Sequence, residues 1–315
     1  MNRVDALNNH YDDMLELRES FGYSNGKKPH CVKEFIAHCC KCYPDSVGIT
    51  RKMVDSWLED KHFGTSRTRN YEITQIRVFA RYLESIGIPA FVPNEDYSAR
   101  TIQYTPYLFT DQELARLFEA IDGFQPHYTS PNREYIVPVL FRMMYCCGMR
   151  PSEPPSLLIE DVDLNNGEVY IRQAKRHRDR RILMSPELTA LCREYASHMM
   201  PQKYFLEKNE GVRISSRWVG RQFHFCWRNS GLQKRGDPRP YDLRHNFAAR
   251  TMMRWVNEGR DVSVLAPYLS AYMGHAEFSS TLYYIHLLPE RLQKSVGIDW
   301  ARFSKIYPEV YDEQN

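Results

Sequence analysis

The stretch Tyr241-Asp242-Leu243-Arg244-His245 decides how this sequence is read, together with three others placed around it. Upstream, Cys147-Gly148-Met149-Arg150-Pro151-Ser152-Glu153 ends an apolar helical run on a glycine, then presents an arginine with a carboxylate three residues later. Lys175 lies between them, in a turn joining two segments of alternating polarity. Downstream, Leu269-Ser270-Ala271-Tyr272-Met273-Gly274-His275 is followed by Thr281-Leu282-Tyr283-Tyr284-Ile285-His286. An arginine or histidine after glycine is common at a helix end, so no single segment is specific. Their order and spacing together are.

Outward from these segments the pattern is helical with one small sheet. Thr110 and Glu113 form a capping box ahead of Leu114, Leu117, Phe118 and Ile121. A second helix runs from about Tyr135 to Cys147 and stops at Gly148. Alternation follows: Val162 and Leu164, the turn Asn165-Asn166-Gly167, Val169 and Ile171, a basic loop, then Ile182 and Met184. From Ser185 the chain reads as helix again, with a polar interruption near Pro201 to Arg217. The fold class is therefore mainly α with a small antiparallel β-sheet, an α+β arrangement.

The first hundred residues read as helices alone. The clearest spans Asn70 to Ile86, where Ile73, Ile76, Phe79, Ala80, Leu83 and Ile86 recur at three- and four-residue steps and Gly87 supplies the stop. Pro89, Pro93 and Pro106 flank the polar stretch Asn94 to Arg100 and mark a linker. We expect a helical domain over 1–93, a linker over 94–107 and a mixed domain over 108–315.

Length and composition exclude several classes. At roughly 100–200 residues per domain, 315 residues with 43% apolar side chains suffice for two cores. No apolar run is long enough to span a membrane, and the polar start lacks a secretory pattern, so an intracellular, cytoplasmic protein is expected. The net charge of +3 is too small to argue from, but its distribution is not even. Arg67, Arg69, Arg77 and Arg81 collect late in the first hundred residues, and Arg172 to Arg181 holds six basic residues against one acid. Arg172, Arg176, Arg178, Arg180 and Arg181 in such a loop suit phosphate contact, although a solvated charged face has the same composition. His38, Cys39, Cys40 and Cys42 lack a second ligand pair at zinc spacing, and reduced thiols on a helix are the simpler reading. No metal and no cofactor is expected.

With these segments in this order, the chain resembles the tyrosine recombinases, also called the phage integrase family, over Thr110 to about His286. The first hundred residues match the family's core-binding domain only in size and pattern. The resemblance implies a site-specific recombinase that joins DNA to a tyrosine through a 3′-phosphotyrosyl bond, which conserves the bond energy without a cofactor. Tyr284 is then the nucleophile, because the pattern of Thr, two residues, Tyr, one residue, His falls on Thr281, Tyr284 and His286. Tyr283 is the rival, expected to turn about 100° away into the core. Arg150 and Arg244 resemble the pair that binds the transition state's nonbridging oxygens; ion pairs with Glu153 and Asp242 are the structural alternative. His275 resembles a hydrogen-bond donor to the scissile phosphate. Lys175 resembles the general acid for the leaving 5′-oxygen, a plain backbone contact being the alternative. Glu153, His245 and His286 would support these groups.

Two departures from the family stand out. Tyr241 occupies the position, three residues before Arg244, where the family usually has histidine; a phenol titrates well above neutral pH and is a poor base. Pro154-Pro155 replaces the usual helix formers behind Glu153. The partners implied are double-stranded DNA with paired half-sites, a homotetramer on that DNA, and accessory recombinase or directionality factors, with a mobile element as the setting. Residues Trp300, Phe303, Ile306 and Tyr307 give the tail one apolar side, suited to docking on a neighbouring protomer. A type IB topoisomerase and a catalytically weak DNA-binding regulator are the alternative functions.

Overall fold

The computed structural model describes residues 3–23, 30–46, 48–100, 104–172, 179–232, 236–275, 278, 281, 283 and 284. The chain divides into two compact units, Met1–Tyr104 and Thr105–Asn315. Lys175, Arg176, Arg178, His286 and the tail with Trp300, Phe303, Ile306 and Tyr307 lie outside the described residues.

The first unit contains α1 (Arg3–Ser20), α2 (His30–Cys42), α3 (Arg51–Asp60) and α4 (Ser66–Ser85). Their apolar stripes meet in one core that includes Tyr11, Phe35, Ile36, Met53, Trp57, Phe79 and Leu83. The spacing in α4 buries Ile73, Ile76, Phe79, Ala80 and Leu83 as expected. The helix starts four residues before the expected Asn70, because Thr65 caps it by accepting from the Thr68 amide at 3.1 Å. That first turn is exposed, so no apolar period announces it. Gly87, at φ +81°, ends the helix, with Ile88 N donating to Leu83 O and Gly87 N to Glu84 O.

Two readings in this unit change. Arg77 is not free for phosphate: its Nε donates to Pro93 O at 2.6 Å and its Nη2 to Asn94 O at 2.8 Å. The polar stretch after Pro93 is also no plain connector. Tyr97 donates to Asp55 at 2.8 Å, and Asn70 pairs with Ala99 in both directions, Nδ2 to O at 2.8 Å and Oδ1 from N at 2.7 Å. Composition marked it as polar but could not show those partners. In α2, His38 Nε2 bonds Ser56 at 3.0 Å and its Nδ1 lies 3.9 Å from Sγ of the exposed Cys42, while Cys39 is buried in the core.

The second unit comprises α5 (Asp111–Asp122), α6 (Arg133–Cys146), β1 (Val162–Asp163), β2 (Glu168–Ile171), β3 (Arg180–Leu183), α7 (Pro186–Met199), α8 (Ser216–Asn229), α9 (Pro240–Asn257) and α10 (Val262–Met273). The expected capping box forms at α5, where Glu113 N donates to Thr110 Oγ1 and Thr110 N to Glu113 Oε2. Helix α6 is apolar nearly all round and lies in the centre, packed on α5, α7 and α9. The strands form an antiparallel sheet in the order β1-β2-β3, so the chain is mainly α with a small antiparallel sheet. Asp163 accepts from the Asn165 and Asn166 amides and turns the chain from β1 into β2.

Strand register corrects one assignment. Ile171 pairs with Arg180 and Val169 with Ile182, so Arg180 shares the inward face of Ile182 while Arg181 points outward. Arg180 is thus no DNA-facing residue; its side chain is 7% exposed against 75% for Arg181.

Candidate active site

The site gathers around the end of α10. Gly274 follows that helix at φ +65°, with Gly274 N donating to Ala271 O and His275 N to Ser270 O, both at 3.0 Å, a Schellman closure that requires a left-handed residue. The last carbonyls then face outward, three in succession. Arg180 Nε donates to Tyr272 O at 2.9 Å, Arg244 Nη2 to Met273 O at 2.7 Å and Arg150 Nη2 to Gly274 O at 2.5 Å. Unpaired carbonyls at the negative end of a helix dipole are natural acceptors for cations, and here they hold three guanidinium groups in place.

Arg150 reaches this point through a second left-handed glycine. Gly148 sits at φ +61° with a Phe247 ring carbon 2.4 Å from where a Cβ would stand, so only glycine allows α9 to approach. Arg150 N and Nη1 both donate to Glu153, each at 2.7 Å, and Glu153 N returns a bond to Arg150 O. The alternative ion pair foreseen for Arg150 therefore exists, but it leaves the group with a role to play, because Arg180 also forks onto Glu153 at 2.9 and 2.7 Å. Burial alone would raise the Glu153 carboxyl; Arg180, the Arg150 amide and Arg244 outweigh it and hold the carboxyl below its usual range. Pro154 and Pro155 form a buried 3₁₀ turn directly behind Glu153.

Arg244 is wholly buried in the first turns of α9. Its Nη1 donates to Gly148 O at 2.6 Å, so it ties the end of α6 to the end of α10. Among the described residues its buried Nε has no acceptor. A buried guanidinium N–H without a partner is uncommon and is suited to an incoming anionic oxygen. Burial, with Arg150 nearby, lowers the Arg244 pKa below the usual arginine value. Asp242 instead caps α9, accepting from Arg239 N at 2.7 Å.

Tyr284 is 2% exposed and belongs to one buried apolar cluster with Met252 of α9 and Ala266 and Met273 of α10. Its hydroxyl lies 3.1 Å from His245 Nδ1. Burial pushes its phenol up, while the Arg244 guanidinium beside it pulls the other way. The expectation that Tyr283 fills the core is reversed: Tyr284 is the buried ring and Tyr283 is half-buried, 6.2 Å away. His275 stacks on Tyr284 with ring centroids 6.0 Å apart and bonds Thr281 Oγ1 through Nδ1 at 2.6 Å. Burial first, then Arg244, Arg150 and Arg180, push His275 down to about 3, so its ring is neutral near pH 7. A Thr281 hydroxyl donating to Nδ1 leaves the ring proton on Nε2, free to donate onward. Tyr241 stands with its ring 4.9 Å from His245.

The structure therefore brings together Arg150, Glu153, Arg180, Tyr241, Arg244, His245, His275 and Tyr284. Sequence reading missed a second feature. Arg217, Arg221, His224 and Arg228 recur along one face of α8 and line a groove of about 1210 Å³ together with Arg133. The four-, three- and four-residue steps are visible in the sequence, but their charge density is lower than that of the basic run from Arg172 to Arg181. Among the described residues no group of three or more His, Cys, Asp or Glu side chains could hold a metal ion, and no helix is long and apolar enough to cross a membrane.

Three guanidinium groups against one carboxylate, two neutral imidazoles and a buried phenol set donors for an anionic oxygen beside an oxygen able to act as a nucleophile. Residues 108–291 match the phage integrase family, and the chain belongs to it; it is a tyrosine recombinase, one of a class of enzymes that transfer DNA strands. A putative integrase/recombinase of Sinorhizobium fredii is 29% identical over 285 residues, covering 86% of this chain and 88% of its own. The tyrosine recombinase XerC of Lactobacillus delbrueckii subsp. bulgaricus is 26% identical over 239 residues, covering 72% of this chain and 74% of its own. In fold, the chain is similar to the Tn1549 transposon integrase solved with transposon right-end DNA, with TM-score 0.62, 15% identity and coverage of 90% and 94%. It is likewise similar to lambda integrase solved on DNA, with TM-score 0.59, 16% identity and coverage of 86% and 91%.

Proposed function

We propose that this chain is a site-specific recombinase of a mobile element in which Tyr284 attacks a phosphodiester of duplex DNA and exchanges strands through a Holliday junction. The observation that carries the reading is the Tyr284 hydroxyl 3.1 Å from His245 Nδ1 and beside the Arg244 guanidinium, with His275 stacked on the Tyr284 ring and Arg150 fixed by Glu153. Arg150 and Arg244 receive the nonbridging oxygens, with Arg244 Nε as one ready donor. His275 Nε2 donates to the same phosphate, and Lys175, which falls between β2 and β3 in the sequence, protonates the leaving 5′-oxygen.

The exposed arginines of α8, with Arg67, Arg69, Arg81, Arg176, Arg178 and Arg181, meet the DNA backbone, whereas Arg172 is set aside because Asp161 and Glu160 already hold its guanidinium, at 2.5 and 2.7 Å. Four protomers assemble on paired half-sites in the cytoplasm, with accessory factors setting direction. An apolar groove of about 1120 Å³ in the second unit, lined by Tyr145, Phe247, Met253, Tyr268 and Tyr272, is the seat for the tail of a neighbouring protomer.

The test is a nicked suicide duplex built on DNA from the gene's flanks that reads as two inverted half-sites around a short spacer. A covalent adduct mapping to Tyr284, lost in Tyr284→Phe and kept in Tyr283→Phe, with strand exchange, is the expected result. An adduct without strand exchange, together with relaxation of a separate supercoiled plasmid, makes the chain a topoisomerase, and tight binding with no adduct makes it a regulator.

A further inference from the structure

His245 stands where the proton of the attacking hydroxyl must go. Tyr241 and His245 are four residues apart on α9 and so follow each other along one face of the helix. Position 241 carries a phenol, a poor base at neutral pH. One turn later, His245 Nδ1 lies 3.1 Å from Tyr284 Oη, within the reach required of a general base. We infer that His245 accepts the Tyr284 proton during attack and so supplies the base that Tyr241 does not; the inference rests on the recombinase reading above.

The surroundings of the ring decide its state. Arg239 at the N-cap of α9 and Arg244 within it act on the ring, Tyr241 lies against it at a tilt of 54° from the same helix, and Tyr284 and His275 act on it from the segment after α10. Burial, then Arg239 and Arg244, push His245 down to about 4, so near pH 7 the imidazole is neutral. A neutral ring with Nδ1 unprotonated accepts from the Tyr284 hydroxyl.

The proton does not leave first. A buried phenol is a far weaker acid than this imidazolium, so transfer is coupled to bond formation, when the oxygen gives electron density to phosphorus and its proton becomes acidic. The incoming phosphate adds a negative charge close to His245 and raises its basicity. In the step, the Oη–H bond breaks and the proton passes to Nδ1 while Oη bonds to phosphorus. The bond from phosphorus to the 5′-oxygen breaks, and that oxygen keeps the electron pair and takes a proton from Lys175. In religation the His245 imidazolium returns its proton to Tyr284.

Single-turnover cleavage of the nicked suicide duplex, measured from pH 6 to 9, tests the inference. His245→Ala is expected to cleave roughly 100-fold or more slowly at pH 7, to bind DNA as the native protein does, to speed up about tenfold per pH unit as hydroxide takes over, and to be partly rescued by added imidazole. His245→Gln, which fills the space and accepts a hydrogen bond but holds no proton, is expected to be as slow as the alanine variant. Native rates in either variant overturn the inference. So does a loss that neither alkaline pH nor imidazole relieves, because that pattern belongs to packing. If the native protein forms no adduct on any such duplex, the recombinase reading itself has failed, and the variants are not needed to show it.

Discussion

Arg180 grips Glu153 with both Nη atoms, at 2.9 and 2.7 Å, and both side chains are nearly buried, at 7% and 8% exposure. The carboxylate that orients Arg150 is therefore already neutralised by another arginine. Without Arg180, Glu153 would cancel the charge of Arg150; with it, Arg150 is both positioned and left with net positive charge to offer a phosphate. The same guanidinium also reaches Tyr272 O, so one side chain ties β3 and Glu153 to the end of α10.

Removing Arg180 leaves a buried carboxylate short of a partner and an α10 carbonyl short of a donor. Arg180→Ala is expected to destabilise the protein by about 3–5 kcal/mol, read as a lower urea midpoint. The neighbouring Arg181→Ala, on the exposed face of the same strand, is expected to stay within about 0.5 kcal/mol of the native protein. Equal effects at the two positions would contradict the strand register.

Arg244 is expected to act on chemistry as well as packing. Arg150→Ala and Arg244→Ala are each expected to lower suicide-substrate cleavage by about 100- to 1000-fold, with DNA affinity changing much less in gel-shift titrations. Cleavage by the native protein should persist in EDTA, because guanidinium groups supply the charge stabilisation. Normal cleavage of bound DNA in either variant would reduce them to backbone contacts.

Acid should weaken the fold in two stages. Unfolded histidine titrates near pH ~6.5, whereas folded His245 titrates near about 4 and His275 near about 3. As pH falls below that unfolded value, the unfolded chain takes up protons that the folded chain refuses, and stability declines. Glu153, held below its usual range, contributes stability above the unfolded carboxyl value of ~4.3, and that contribution is lost as pH falls through the folded value. Urea midpoints at pH 7, 5.5 and 4.5 should fall in that order, and His245→Gln should flatten the upper part of the decline. A midpoint that rises on acidification would reverse the sign argued here.

The basic face of α8 should govern affinity, with little effect on chemistry once DNA is bound. Arg217→Ala, Arg221→Ala and Arg228→Ala should each weaken binding across sequences and reduce the slope of log affinity against log salt by about one. An unchanged slope would place that face away from the DNA.

The kinds of groups at the centre were determined by the sequence itself: two arginines, a histidine and a tyrosine at set spacing, two glycines at helix ends, a capping box at Thr110 and an alternating hairpin. These are local properties, since a helix end, a left-handed turn or a strand period depends on residues within a few positions of one another. The tertiary structure alone decided the partners. Arg180 and Arg181 look alike in a basic run until register turns one inward, and Arg77 looks free until Pro93 and Asn94 fold against it. Tyr284 rather than Tyr283 is the buried ring, and His245 rather than Tyr241 meets its hydroxyl. Spacing along the chain says which side chains share a face. Which face meets which carbonyl across 124 residues, as when Arg150 reaches Gly274, depends on how separate helices pack, and that information is not local.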